Sequence, residues 1–526
     1  SMSDVSDIPK RGNLNYVYLV GGVGLFVLLI ACINFMNLAT ARSAGRAKEV
    51  GLRKSMGSSR SKLALQFLAE SFIYVFIALV IALFAFYFLL PSFNLLSGKV
   101  LSFNTLLKAE VITSIAVVYI LVSLISGSYP AFYLTAFKPI EVLRGNLRSG
   151  IKTKGLRASL VVFQFTVSIA LIICTLIVFD QIDFLINKDI GLDNKNVLVI
   201  ENTSRLGSNQ DAFYDAINSH SGVVKASYID YYFPYQYNAT SLRAAGTTRD
   251  LLFIYYKTDY NHKDVLKLQM KEGRFFSPDY PSDSMACIVN EAAVKELGWT
   301  DPLSERFEIN GPETEYINVV GVVKDFNFES SKWKAKPLVI GLLKKSNHLL
   351  VRYNPKSYEN PQEVVASMGN TWKQFAPNEP YEYAFLDQSF AQVYEEDRQL
   401  GKVFTVMSAI AIFVACLGLL GLAAFTAEQR TREIGIRKVM GASVMSVNLL
   451  LSKEFMLLVG ISFVIASTVA WFAMYSWLGG FVYRVEPSLL TFIVAGLLAA
   501  LVAWLTIGYH FNKASRSNPA DTLRYD

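Results

Sequence analysis

Four cysteines and four histidines in 526 residues leave little from which to build a metal centre or a disulfide framework. Cys32, Cys174 and Cys416 fall in long apolar runs and only Cys287 lies in a long polar stretch, so no disulfide forms within that stretch. His220, His262, His348 and His510 are scattered, without HxxxH spacing or a cysteine neighbour, and each reads as an ordinary surface or interfacial residue. No phosphate loop of the form GxxxxGK(S/T) occurs. The nearest approach, Gly57 to Lys62, has the wrong spacing and no second glycine. Lys324 and Asp325 in GVVKDFNF read as turn residues rather than a catalytic pair.

Charge is also sparse, at 18% of residues against 52% hydrophobic, and the mean hydropathy is +0.33. Both depart from globular usage toward the bilayer. Seven apolar runs are long enough to cross a hydrocarbon core of about 30 Å as helices: 16–41, 65–90, 111–134, 156–179, 403–425, 455–478 and 489–511. Pro130, in SGSYPAFY, is expected to kink the third near its end.

Lysine and arginine between the runs set the orientation. Arg42, Arg46, Lys48, Arg53, Lys54, Arg60 and Lys62 follow the first run, Lys138, Arg144, Arg148, Lys152, Lys154 and Arg157 the third, and Arg430, Arg432, Arg437 and Lys438 the fifth. Those loops are expected in the cytoplasm, while 91–108 and 479–487, poor in positive charge, are expected outside. The net charge of +7 is thus a topology signal, and nucleic-acid binding has little support. This topology puts residues 1–15 outside as a remnant or tag. It leads us to expect a further span, with an outer domain, upstream of residue 1.

Residues 180–402 form a polar stretch of about 220 residues, the size of one domain. NVLVIE at Asn196, LLFIYY at Leu251, CIVNEAAV at Cys287, INVVGVVKDF at Ile317, PLVIGLL at Pro337 and HLLVRYN at His348 read as strands. Helices are expected at 209–219, 291–298 and 362–375, so the domain is α+β. SFAQVYEEDRQLGKVF from Ser389 reads as a helix running on into the fifth span.

One segment is written twice: RAKEVGLRKSMGSS from Arg46 and RTREIGIRKVMGAS from Arg430. The correspondence continues beyond it, with Cys32 matching Cys416, Glu70 matching Glu454, and KPIEVLR at Lys138 echoing NPADTLR at Asn518. Residues 16–150 and 403–526 therefore read as two copies of a three-helix module joined by the span 156–179. In each copy an acid precedes an arginine by four residues, Glu49 with Arg53 and Glu433 with Arg437, in the order that favours a helix. Val50, Leu52 and Met56, or Ile434, Ile436 and Met440, are expected to form an apolar side, with Gly57 or Gly441 ending the turn. A short amphipathic helix on the inner membrane face is expected. A bare lipid anchor would explain one copy; two copies keeping the same Glu, Gly, Arg, Lys, Met and Gly favour a protein partner. The polar groups within the spans, Asn34, Asn37, Gln164 and Asp180, are few and lie mostly near helix ends, so no mid-membrane ion path stands out.

INFMNLATARSAGRAKEVGLRKSMGSSRSKLALQFLAES and LGLLGLAAFTAEQRTREIGIRKVMGAS resemble the two permease modules of the MacB/FtsX family of ABC transporters. VVGVVKDFNFES and FLDQSFAQVYEEDRQLGKVF resemble that family's MacB-like periplasmic core domain. The fold implied is a polytopic α-helical membrane protein, two three-helix modules plus one linking span, with an α+β extracytoplasmic domain. The resemblance implies a bacterial inner-membrane permease without ATPase motifs or a cofactor of its own, ATP being used by a separate cytoplasmic ATPase subunit. The basic loops would dock on that subunit, with Arg46, Glu49, Gly51, Arg53, Lys54, Gly57, Arg430, Glu433, Gly435, Arg437, Lys438 and Gly441 as the coupling residues. A permease homodimer or heterodimer and a periplasmic partner are further partners it implies. Three readings stay open: export or extraction of an antimicrobial compound, peptide or lipoprotein; a scaffold signalling to periplasmic partners such as cell-wall hydrolases; and a membrane-anchored enzyme with its site in 180–402, for which no clustered motif speaks.

Overall fold

An apolar run in a bilayer must hydrogen-bond its own backbone, which makes each such run a helix. The computed structural model describes residues 14–97, 101–136, 150–234, 238–309, 315–329 and 334–515. Its helices begin with α1 (Leu14–Ser55), α2 (Arg60–Ser97), α3 (Ala109–Ala136) and α4 (Gly150–Asn187). The shorter α5 (Gln210–Asn218), α6 (His262–Leu266), α7 (Glu291–Leu297), α8 (Pro361–Phe375) and α9 (Leu386–Gln392) follow. Then come α10 (Glu395–Gln429), α11 (Thr431–Val439), α12 (Val444–Leu478) and α13 (Leu489–Ser515). Among the described residues, seven helices are long and apolar enough to cross a membrane, with spans within α1, α2, α3, α4, α10, α12 and α13. The echo between Lys138 and Asn518 lies outside the described residues.

Two boundaries differ from expectation. The loop expected from Pro91 begins later, because α2 carries Pro91 inside it and continues to Ser97. The approach to the fifth span is two helices, not one, since α9 ends at Gln392 and α10 starts at Glu395.

The chain divides into two units. One comprises Ser1–Asp180, Asp397–Trp477 and Glu486–Asp526, and holds the membrane helices. Its first module is tied by Tyr119, whose hydroxyl donates to the Phe72 carbonyl at 3.1 Å while its ring meets Phe72 edge-on. Small residues let helices approach, as expected where lipid offers no hydrophobic drive to association. A Cβ on Gly127 would stand 2.7 Å from the Ser71 hydroxyl. The modules meet through α4. Thr175 pairs with Ser408 of α10 at 3.1 Å, and Ser462 of α12 donates to the Val162 carbonyl at 3.1 Å. Asn34 of α1 and Gln164 of α4 both point amide nitrogens at the Val414 carbonyl of α10, each at 3.5 Å.

The second unit, Gln181–Glu396 with Leu478–Val485, is the α+β domain. Its strands are β1 (Val197–Ile200), β2 (Val223–Ile229), β3 (Asn238–Ala244), β4 (Asp250–Thr258), β5 (Met270–Gly273) and β6 (Ala286–Asn290). β7 (Arg306–Ile309), β8 (Glu315–Val323), β9 (Leu338–Leu342), β10 (His348–Tyr353) and β11 (Tyr383–Phe385) complete the set. They join in the order β11-β1-β10-β2-β4-β3-β7-β8-β6-β9, with β5 on β8. A parallel pairing of β4 with β9 closes six of them into a ring. Period-two alternation separates the cores. On β1, Leu198 and Ile200 pack with Phe213 of α5 and Trp372 of α8, while Val197 and Val199 face the opposite core with Tyr256 and Phe326. Asn360 caps α8 by accepting from the Glu363 amide, and Glu363 returns a bond to the Glu359 amide. The segment Leu478–Val485 is pinned within this unit by Gln181, whose amide donates to the Tyr483 carbonyl and accepts from the Val485 amide, at 2.9 and 2.8 Å. Lys188 lies 3.6 Å above the Tyr483 ring.

Candidate functional site: the two basic loops

α1 continues from its span through the whole first basic segment to Ser55. The second segment is a helix of its own, α11, set off from α10 at Arg430. The expected short surface helix is thus present once, and its counterpart is the end of a long rod.

The two copies carry the same geometry at matched positions. Glu49 and Arg53 form an ion pair at 2.7 Å, and Glu433 and Arg437 one at 2.9 Å, all four side chains being about half exposed. Gly57 and Gly441 take φ of +92° and +89°. Past them the Ser58 amide reaches back to the Arg53 carbonyl and the Ala442 amide to the Arg437 carbonyl, both at 3.0 Å. Only glycine enters that left-handed stop without strain. Ser59 and Ser443 then accept from the Lys62 and Ser446 amides, capping α2 and α12.

The apolar side expected of each segment is split. Val50 and Ile434 are buried, whereas Leu52, Met56, Ile436 and Met440 are exposed, the two methionines to 75% and 83%. At about 100° per residue, positions two apart fall on opposite sides of a helix and positions four apart on the same side. One residue therefore anchors inward, and a Leu-Met or Ile-Met pair faces out beside the ion pair. Val439 adds to the outward surface of α11.

The loops differ in their attachments. Arg53 also donates to the Gln66 side chain at 2.9 Å. Lys54 donates to the Thr135 carbonyl in the last turn of α3, a favourable place for a cation. Burial, with Arg60 nearby, lowers its pKa below the usual lysine range. In the second loop Arg430 pairs with Glu454 at 2.6 Å. Gly51 and Gly435 lie within their helices. The side chains of Arg46 and Lys438 lie outside the described residues.

In the outer unit, among the described residues, no group of three or more His, Cys, Asp or Glu side chains could hold a metal. Asp325 accepts from the Ala292 amide at 2.8 Å, so it caps α7, and Lys324 donates to the Gln269 side chain. Two histidines are not surface residues. His262 is fully buried between Ser227 and Tyr256, and burial pushes its pKa down to about 3. His348 is buried against the Asp230 carbonyl and is likewise lowered by burial. Sequence reasoning missed the Gln181 clamp; the one signal was an amide just past the end of a span.

A family model described as FtsX-like permease C-terminal matches residues 21–139 and again 405–519, and one described as MacB-like periplasmic core domain matches 159–370. The chain belongs to the MacB/FtsX family of ABC transporter permeases. This permease is 30% identical over 144 residues to the macrolide export ATP-binding/permease protein MacB of Bdellovibrio bacteriovorus, a match covering 27% of the chain and 22% of that protein. It is 24% identical over 293 residues to the uncharacterized ABC transporter permease YvrN of Bacillus subtilis, covering 52% and 70%. The periplasmic region of MacB from Actinobacillus actinomycetemcomitans aligns with a TM-score of 0.28 at 14% identity, over 39% of the chain and 94% of that structure. The permease thus spans less than a quarter of the length of the MacB exporter it matches. It is a multi-pass membrane permease with a MacB-like periplasmic domain.

Proposed function

We propose that this permease couples ATP hydrolysis by a separate cytoplasmic ATPase to movement of its periplasmic domain, in the bacterial inner membrane, for export or extraction of an antimicrobial compound, peptide or lipoprotein. The observation that carries the proposal is the duplicated loop surface. Twice, an exposed Glu-Arg pair stands beside an exposed apolar pair and ends in a glycine stop. Apolar anchors rimmed by charge are what a protein partner uses, and a headgroup anchor gives no reason for an acid at the same place in both copies. The docking residues are Glu49, Arg53 and Lys54 in one loop and Glu433, Arg437 and Lys438 in the other, with Arg46 and Arg430 at the loop entries. Gly51, Gly57, Gly435 and Gly441 shape the backbone. ATP binds the partner and no cofactor binds this chain.

The test is co-purification of the permease with candidate cytoplasmic ATPases, wild type against Glu49→Arg, Arg53→Glu, Glu433→Arg and Arg437→Glu. Capture that the reversals weaken supports the docking surface, unchanged capture moves it elsewhere, and no capture of any ATPase removes the coupling reading.

A further inference from the structure

Polar side chains at bilayer depth are costly unless every donor and acceptor finds a partner. Asn34 and Asn37 on α1, and Gln164 and Ser168 on α4, are all more than nine-tenths buried. The Asn34 Oδ1, Asn37 Oδ1 and Ser168 Oγ atoms have no hydrogen-bond partner among the described residues. Asn34 and Gln164 meet on α10 at a place kept open by Gly418. A Cβ there would stand 2.7 Å from Asn34 Oδ1 and 3.1 Å from Gln164 Nε2. Both amide nitrogens converge on the one Val414 carbonyl while the Asn34 amide oxygen beside them receives no hydrogen, so these side chains do not close the crossing by themselves. α1 and α10 belong to the two different permease modules.

We propose that Asn34, Gln164 and Gly418 form a hydrated joint between the two permease modules, with Asn37 and Ser168 extending it one turn to either side. The two orphan amide oxygens need donated hydrogens and the Ser168 hydroxyl can donate or accept; each water supplies two hydrogens while accepting in turn, so about two waters satisfy the row. A monovalent cation fits less well, because these oxygens are all neutral and an unpaired ion within the membrane is expensive. Water gives the joint a property that a direct amide pair lacks. It can change partners as helices slide, so the modules stay joined without leaving an acceptor bare. The joint follows from its own contacts, and failure of ATPase docking would leave it standing.

The test uses the full chain, selectively labelled with 15N at asparagine and glutamine and reconstituted in bilayers. Water-edited solid-state NMR should show early polarisation transfer from water to the Asn34 and Gln164 side-chain amides, assigned through Asn34→Leu and Gln164→Leu. Absence of transfer overturns the proposal. In detergent, Asn34→Leu should lower the thermal midpoint by about 2 °C or more, and the double variant should lose less than the sum of the single losses. A raised midpoint means a dry, unsatisfied site and overturns the proposal. So does a midpoint that depends on sodium or potassium at constant ionic strength, which means an ion. Gly24→Ala, in a helix with nothing within 4 Å of the added carbon, serves as the unaffected control.

Discussion

Exchanging Glu433 and Arg437 separates docking from stability. The wild-type pair is close to half exposed on both sides, so its contribution to the helix is only about 0.3–0.5 kcal/mol. The double variant Glu433→Arg with Arg437→Glu keeps a four-residue ion pair in the weaker order. It also moves an acid toward the helix C-terminus, at about 0.3–1 kcal/mol. The total is about 1 kcal/mol, so the permease stays folded and its thermal midpoint moves little. Toward a partner the same change inverts both charges. If the partner buries them, each mismatched contact costs about 2–5 kcal/mol, which is roughly 30-fold or more in affinity. Titration of the ATPase against solubilised permease, with thermal midpoints measured in parallel, reads both quantities. Binding within about two-fold of wild type would refute the assignment of this surface, since a loss of about 1 kcal/mol in a permease that stays folded does not itself change affinity. The matching exchange of Glu49 and Arg53 should show the same pattern with a larger stability loss, because Arg53 also holds Gln66.

Gly441→Ala meets nothing within 4 Å, so its cost is backbone strain alone, about 1–2 kcal/mol; Gly460→Ala, equally open but inside α12, should hold or raise the thermal midpoint. Arg274→Met strips a two-pronged partner, at 2.7 Å on each prong, from the Asp283 carboxylate, which is 0% exposed. Burial raises the Asp283 pKa, but bonds from Arg274 and the Ser277 amide bring it below the usual range. Removing Arg274 should therefore cost about 3–5 kcal/mol, measured as protease sensitivity of the outer unit. His262 titrates at about 3 when folded against about 6.5 unfolded, so between those values the unfolded chain binds more protons. Stability should fall by about 1.4 kcal/mol per pH unit below 6.5 and level off near 3, and His262→Gln should flatten that slope in acid unfolding. Asp230 works in the opposite sense, burial raising it to about 6: its folded form binds the extra proton, stability is lost as pH rises from about 3.8 to 6, and Asp230→Asn should be more stable than wild type at pH 7.

The membrane half was legible because length and apolarity alone decide a span, and bounds erred where a helix outlasts its apolar run, as α1 and α2 do. In the outer unit the strands that announce themselves are those buried on both faces, such as β6 and β10. β2 was missed because Lys225 and Ser227 interrupt its apolar run, although Ser227 is fully buried against Thr258 and His262. β3, NATSLRA, reads as a loop until β4 pairs with it. Closure of the six-strand ring depends on β4 meeting β9, far apart in sequence, and no local pattern encodes that. At the loops, duplication exposed the ion pairs and glycine stops. The apolar side was misread because residues two apart were assigned one face. Asn34 and Gln164 were visible as polar residues in spans, but nothing in either span indicates that both meet at Gly418.

The first and last strands of the outer sheet are paired: β1 follows α4, β11 precedes α9, and the two are antiparallel neighbours. Leu198, near the start of the first strand, and Phe385, at the end of the last, are thus about 5 Å apart, so the sheet hands the chain back beside the point where it received it. Any other fold whose first and last strands lie side by side would return the chain in the same way. A lineage could therefore rebuild the strands between β1 and β11, and the surface they carry, while keeping the two points at which the chain enters and leaves the sheet.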